Sequence, residues 1–224
     1  MISIIVPVYN EERTLSKAFA DLQRLSGEAE LIFVDGGSID GSPELCEKLG
    51  KLYRSEKGRA QQMNKGACLA EGDILLFLHA DSIISPEALS SIEGSVKSGA
   101  LTGGCLTQRL DSDALIYRFI ENFGNIRARF TAIFYGDQGI FVTKEAFSLL
   151  GGFPETPIME DVIFSKRLRK SGRTRVLEDK IIVSSRRWQA EGVLKACARY
   201  TLVNILYRLG VPLQKIKNLC NDLR

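Results

Sequence analysis

The feature that most limits this fold is an alternation. Short β-branched apolar runs recur along the first third of the chain, each followed by a segment with helical spacing. Ile2 to Val8 reads as a buried strand closed by Tyr9-Asn10. Glu11 to Leu25 then carries Leu15, Ala18, Phe19, Leu22 and Leu25 on one helical face. Leu31 to Val34, Lys51 to Arg54 and Ile74 to Leu78 are further strands. Helices follow at Ser42-Pro43-Glu44, Gly58 to Glu71 and Pro86 to Lys97, with proline suited to a first helical turn. Such alternation implies an α/β fold with a mostly parallel sheet, flanked by helices, which binds ligands at the carboxyl ends of its strands.

Beyond Ala100 the expected elements are a strand at 101–110 with an irregularity at Gly103-Gly104 and a helix over 112–130. Then come a strand at 139–142, a helix over 160–170 and short strands at Val176 and 181–183. An amphipathic helix from Ala190 to Leu209 is expected to stop at Gly210. No linker composition separates these parts. The 224 residues are expected to form one domain, with a nucleotide-binding half at 1–99, an acceptor half at 100–185 and a helical segment at 186–224.

The first residues lack the basic start and small-residue cleavage site of a signal peptide, and no apolar run approaches the roughly 20 residues that span a bilayer. Five scattered cysteines without metal-site spacing fit reduced, small apolar residues in a cytoplasmic chain. The formal charge of +3 is uneven: Arg186 to Arg224 holds eight Lys/Arg against two Asp/Glu. That basic stretch is a solvated helical face or a contact for an anionic acceptor or the inner face of a membrane. Packing of the 190–209 helix on its own domain or in a homodimer is the expected use, and nucleic acid is not an expected partner.

The first strand runs into Asn10-Glu11-Glu12 and not G-x-G-x-x-G, and no P-loop occurs. A metal is then the expected means of holding phosphates. His79-Ala80-Asp81 follows the Ile74 to Leu78 strand, with His79 and Asp81 two residues apart on one side. Such donors suit Mn²⁺ or Mg²⁺. Taken alone, a His-x-Asp is more often a hydrogen-bonded strand end. Glu160-Asp161 taken alone is an ordinary acidic first turn. Gly136-Asp137-Gln138-Gly139 is a turn or an acceptor contact, since Asp137 and Gln138 can hydrogen-bond sugar hydroxyls. Trp188 is an anchor for the last helix or a stacking face for a sugar.

Six segments in order narrow these choices. They are Pro7 to Glu12, Val34-Asp35-Gly36-Gly37-Ser38 with Asp40-Gly41-Ser42, Asn64-Lys65-Gly66 with Glu71-Gly72-Asp73, His79-Ala80-Asp81, Gly151-Gly152-Phe153 and Glu160-Asp161. Over residues 1 to about 172 the chain resembles the family 2 glycosyltransferases, which have the GT-A fold. More narrowly, Gly58-Arg59-Ala60, Gly136-Asp137-Gln138-Gly139 and Arg186-Arg187-Trp188 resemble a small bacterial branch, some of whose members are assigned to arsenosugar biosynthesis.

The resemblance implies an inverting enzyme that moves a sugar from a nucleotide-diphosphate donor, UDP by family usage, to an acceptor hydroxyl it does not identify. Pro7, Tyr9, Glu11 and Asp35 would hold the base. Arg59 and Asn64 would contact nucleotide or phosphate, and His79, Ala80 and Asp81 the sugar-nucleotide. Asp81, with His79, would ligate the metal. Asp161, beside Glu160, would be the general base, and Asp137, Gln138, Arg187 and Trp188 would face the acceptor. His79 stands where the family more often has an acid, which leaves one negative charge fewer for a hard cation. Two rival functions remain. A nucleotidyltransferase would favour a basic glycine-rich loop after the first strand, where this chain has acids. A non-catalytic sugar-nucleotide or carbohydrate binder would not need Asp161 together with Asp81.

Overall fold

The computed structural model describes residues 1–222; the side chains of residues 187, 221 and 222 lie outside that description. The first half runs β1 (Ile2–Val8), α1 (Glu12–Ser26), β2 (Glu30–Asp35), α2 (Ser42–Leu49), β3 (Lys51–Arg54), α3 (Arg59–Leu69) and β4 (Ile74–Phe77). After β4 come β5 (Ser82–Ile84), α4 (Pro86–Lys97), β6 (Gly103–Leu110), α5 (Leu115–Thr131), β7 (Ile140–Thr143) and α6 (Lys144–Leu149). The chain continues through α7 (Glu160–Ser171), β8 (Thr174–Val183), α8 (Arg186–Glu191), α9 (Val193–Arg208) and α10 (Leu213–Asp222).

Among the described residues the strands form one sheet in the order β3-β2-β1-β4-β7-β6-β8-β5. β3, β2, β1 and β4 are parallel, as their crossover helices require. β7 enters antiparallel against β4 and β6, so the second half is mixed. The order turns back at β1 and β4, and a crevice opens at the carboxyl ends of that pair.

Alternation along β1 sends Ile4, Val6 and Val8 to a core shared with Leu15, Ala18 and Leu22 of α1. It sends Ile5 to the opposite core, with Ala60, Met63 and Ala67 of α3. Phe77, Phe147, Phe153 and Phe164 stack beneath the second half, with Phe153 and Phe164 centroids 4.5 Å apart. All five cysteines are free. Cys46 and Cys105 are buried, and burial, followed by the charge of Asp35, pushes the Cys46 thiol up to about 12.

Four local expectations are corrected. β8 is one ten-residue strand rather than two short ones. A register shift opposite Cys105 and Thr107 interrupts it, bridged by the Thr107 hydroxyl donating to the Leu177 carbonyl at 2.6 Å. The irregularity lies at that shift and not at Gly103-Gly104, and its two extra residues belong to β8. β5 is an additional strand, paired with the end of β8. The helix expected over 190–209 is two helices broken at Gly192, whose φ is +85°, and α10 follows Pro212.

α5 is built inside out. β7 pairs β6 only at Gly103 and Gly104, which leaves backbone groups further along β6 without a strand neighbour on that side. α5 supplies it: the Glu121 carboxylate accepts the Leu110 N–H, and the Asn125 amide accepts from Gln108 N–H and donates to its carbonyl, both at 2.9 Å. Its inward face therefore carries two polar side chains between the apolar Tyr117 and Ala128.

α3 packs closely on β1 and β2. A Cβ on Gly66 would stand 2.5 Å from Ile5 Cγ2 and 3.1 Å from Val34 Cγ2. Gly66→Ala should destabilise the protein by about 1–3 kcal/mol through overpacking, measured by urea unfolding; an unchanged midpoint would mean that α3 can withdraw from the sheet at little cost.

Candidate functional site

The crevice holds about 560 Å³, within the range of small-ligand sites. Pro7, Val8, Tyr9 and Glu11 from the end of β1 form one wall, and His79, Ala80 and Asp81 from the end of β4 form another. Lys57, Gly58, Arg59 and Gln62 contribute from the start of α3.

The β1 and β2 loops are stapled together. Asn10 N–H donates to Ser38 Oγ at 2.8 Å, and Ile39 N–H returns to Asn10 Oδ1 at 2.9 Å. Glu11 N–H donates to Ser42 Oγ at 2.8 Å, and Glu12 N–H to Asp40 Oδ2 at 3.1 Å. Asp35 is buried and accepts from the N–H groups of Gly37 and Ser38 and from the Ser38 hydroxyl. Asp35 thus shapes the loop beside the crevice and is not among the residues that line it. Lys57 Nζ stands 3.8 Å over the Tyr9 ring.

Gln62, to which sequence reasoning assigned no role, is buried and donates from Nε2 to the carbonyls of Val8 and Val34 at 2.7 and 2.8 Å. It fixes the ends of β1 and β2. The available signal was a glutamine on the α3 face that also carries Ala60, Met63 and Ala67. Asn64 lies away from the crevice lining. Its amide accepts from Phe153 N–H at 2.9 Å and donates to Phe153 C=O at 2.8 Å. Gly152 makes this approach possible: its φ is +68°, and a Cβ there would stand 2.7 Å from Asn64 Oδ1.

That tie sets the turn leading into α7. Asp161 accepts from Gly136 N–H at 2.7 Å and from Val162 N–H at 2.7 Å. A Cβ built on Gly136 would lie 3.1 Å from His79 Nε2 and 3.5 Å from Asp161 Oδ2. The α7 acid and the β4 histidine therefore converge on one glycine, although 82 positions separate them in the sequence. Glu160 is buried 3.5 Å from Arg59 Nη1. Burial, and next the Asp161 charge, push Glu160 above the usual carboxylate range, while Arg59 pulls the other way.

Gly136–Gln138 is a 3₁₀ turn. Gln108 Nε2 donates to Asp137 Oδ2 at 2.6 Å, and Oδ1 is shut from solvent without a donor. Gln138 is buried, and its Oε1 accepts from Arg127 and from Tyr135 N–H. These two side chains brace the turn from within. Trp188 packs on Tyr200, with ring centroids 5.1 Å apart, so it anchors the C-terminal helices. The Arg187 side chain lies outside the described residues. Arg186 instead reaches the crevice rim, with Nη1 3.3 Å from Thr14 Oγ1 and Nη2 3.9 Å from Glu11 Oε2.

Among the described residues no group of three or more His, Cys, Asp or Glu side chains gathers as a complete metal shell. Asp81 and His79 offer an incomplete donor set on the crevice wall. This fits a cation that completes its shell with phosphate oxygens and water, the usual arrangement for magnesium at phosphates.

The sequence profile of Glycosyl transferase family 2 matches residues 3–148. An undecaprenyl-phosphate 4-deoxy-4-formamido-L-arabinose transferase of Aeromonas hydrophila is 31% identical over 126 residues, covering 50% of this chain and 39% of that protein. The chain spans about two-fifths of the length of that protein and of glycosyltransferase GlyG of Streptococcus pneumoniae, which is 28% identical over 137 residues. The mannosyltransferase PcManGT of Pyrobaculum calidifontis, solved with GDP-Man and Mn²⁺, superposes with a TM-score of 0.71 at 19% identity, over 98% of this chain and 68% of that one. S. aureus TarS 1–349 with UDP-GlcNAc superposes with a TM-score of 0.64 at 20% identity, over 82% and 58%. At such identities the likeness is one of fold.

Burial, then the charge of Asp161, raises the pKa of Asp137. The folded protein thus keeps protons that the unfolded chain releases, and stability falls as pH rises from the ordinary values of 3.8 for Asp137 and 4.5 for Glu160 through their raised folded values. Asp137→Asn should shrink the drop in Tm between about pH 4 and about pH 8; thermal unfolding across that range checks it, and an unchanged drop would place its origin elsewhere.

Proposed function

The chain belongs to glycosyl transferase family 2, and from that membership we propose that it transfers a sugar from a nucleoside-diphosphate sugar to an acceptor hydroxyl, with inversion at the anomeric carbon. The observation that carries this reading is the convergence of Asp161 and His79 on Gly136, which brings a carboxylate from α7 beside the His79 wall of the crevice.

The base of the nucleotide lies against Pro7 and Tyr9 at the end of β1, with UDP favoured by the family resemblance. Arg59 faces the diphosphate from α3 and at the same time steadies Glu160. Asp81, with His79 beside it, would hold Mn²⁺ or Mg²⁺, which when bound neutralises charge on the departing diphosphate. Asp161 takes the proton of the acceptor hydroxyl as that oxygen attacks the anomeric carbon from the face opposite the leaving group. The Gly136 and Val162 N–H groups orient its carboxylate. Glu160, held toward its neutral form by burial, limits like-charge repulsion beside it. Donors in the solved neighbours, UDP-GlcNAc in TarS and GDP-Man in PcManGT, support the donor class. A binding protein would have no use for a base at this position.

Asp161→Asn should lower transfer by about 10²–10⁴-fold while leaving nucleotide binding within a few-fold of wild type. Asp81→Ala should abolish the Mn²⁺-dependent part of UDP or GDP binding in calorimetry. Full activity in Asp161→Asn, or metal-dependent binding intact in Asp81→Ala, would remove the corresponding role. NMR of the product gives the anomeric configuration, and retention would reject the mechanism.

A further inference from the structure

We propose that the protein docks on an anionic membrane surface through the outer face of α5 together with the exposed face of α9. This inference does not depend on the transfer chemistry.

Leu115, Ile116, Phe119, Phe123, Ile126 and Phe130 follow helical spacing along the whole of α5 and face outward. Phe119, Phe123 and Phe130 are 72%, 75% and 87% exposed. The stripe runs about 22 Å at 1.5 Å per residue. The other residues exposed along it are Asn122 and Arg129, the latter ion-paired to Glu178. Three bare phenylalanines in one continuous stripe are too much apolar surface for a side chain pattern that merely faces water.

α9 adjoins this stripe. Tyr135 is clamped between the two helices, with Arg127 of α5 3.7 Å over its ring and Asn204 of α9 accepting from its hydroxyl at 3.0 Å. α9 exposes Leu194, Leu202 and Ile205, and Leu209 is exposed at its C-terminal cap. Lys195, Arg208 and Lys215 are exposed on α9 and α10, and among the described residues 186–220 no carboxylate is exposed. Glu191, the acid of this stretch, is bound to Arg199 at 2.6 Å. Over those residues of α9 and α10 apolar side chains are interleaved with cations and free of exposed acids, while the exposed acids Asp113 and Glu178 bordering α5 are ion-paired to Arg109 and Arg129; such a face complements a lipid surface that carries negative headgroups. A second copy on the same surface would bring two basic helices toward each other. Tyr135 immediately precedes Gly136, so the docked face borders the Asp161 end of the crevice.

The test is co-sedimentation of the full chain with phosphatidylcholine vesicles, with and without one-quarter phosphatidylglycerol. Wild type should pellet with the anionic vesicles, and Phe119→Gln/Phe123→Gln/Phe130→Gln should reduce that binding more than tenfold with an unchanged thermal unfolding curve. Lys195→Glu/Arg208→Glu should abolish the preference for phosphatidylglycerol. If the triple variant unfolds, Phe123→Trp replaces it: its emission should be quenched by acyl-brominated lipid beyond the quenching of wild type, whose tryptophan packs on Tyr200. Wild type remaining in the supernatant, Phe123→Trp emission no more quenched than wild type, or a dimer in ultracentrifugation that the triple variant disperses would overturn the proposal.

Discussion

The architecture depends on how unpaired backbone is satisfied where strands stop. A sheet that opens at its carboxyl ends to admit a ligand leaves carbonyl and amide groups without neighbours, and buried groups of that kind are costly. Three side-chain amides answer this. Gln62 takes the Val8 and Val34 carbonyls, Asn64 takes both polar groups of Phe153, and Asn125 takes both of Gln108. Each also fixes a distance the site requires. Gln62 holds the mouth of the crevice, Asn64 fastens the turn before α7 to α3, and Asn125 holds α5 against β6, where Gln108 in turn grips Asp137. The placement of Asp161 and His79, where we propose the chemistry occurs, thus rests on amides that bond to backbone elsewhere.

The first half was legible because local and tertiary preferences coincide there. The apolar runs at Ile2, Leu31 and Ile74 are buried on both faces, and the polar residues that follow them fall at the crevice as the parallel topology demands. Beyond Ala100 the signals separate. β5 forms by pairing with the end of β8, and β8 is held along β6 across the bulge opposite Thr107, pairings that no local pattern carries. The division at Gly192 is set by one positive φ inside an otherwise helical composition.

Site residues show the same division. Tyr9, Glu11, Arg59, His79 and Asp81 line the crevice because each follows directly on a strand or opens a helix beside it. Asp35 and Asn64 do not line the crevice, and their polar atoms hold backbone beside it. Arg186 was hidden because its partners Glu11 and Thr14 lie at the other end of the chain. α5 was legible as a helix but not in its orientation: the missing β7 neighbour of β6 leaves Glu121 and Asn125 facing inward, with the apolar stripe outward.

The two buried thiols give the molecule a chemical memory of its own integrity. Cys46 sits between α2 and the sheet, and Cys105 sits within β6, one in each half of the fold. Alkylating reagents consume thiolate, and burial keeps both groups protonated at neutral pH, so neither reacts while its layer is closed. Cys68, on the outer side of α3, reacts in either case and supplies an internal clock. The order in which Cys46 and Cys105 become modified therefore records which half of the sheet parts first, with no label added to the chain.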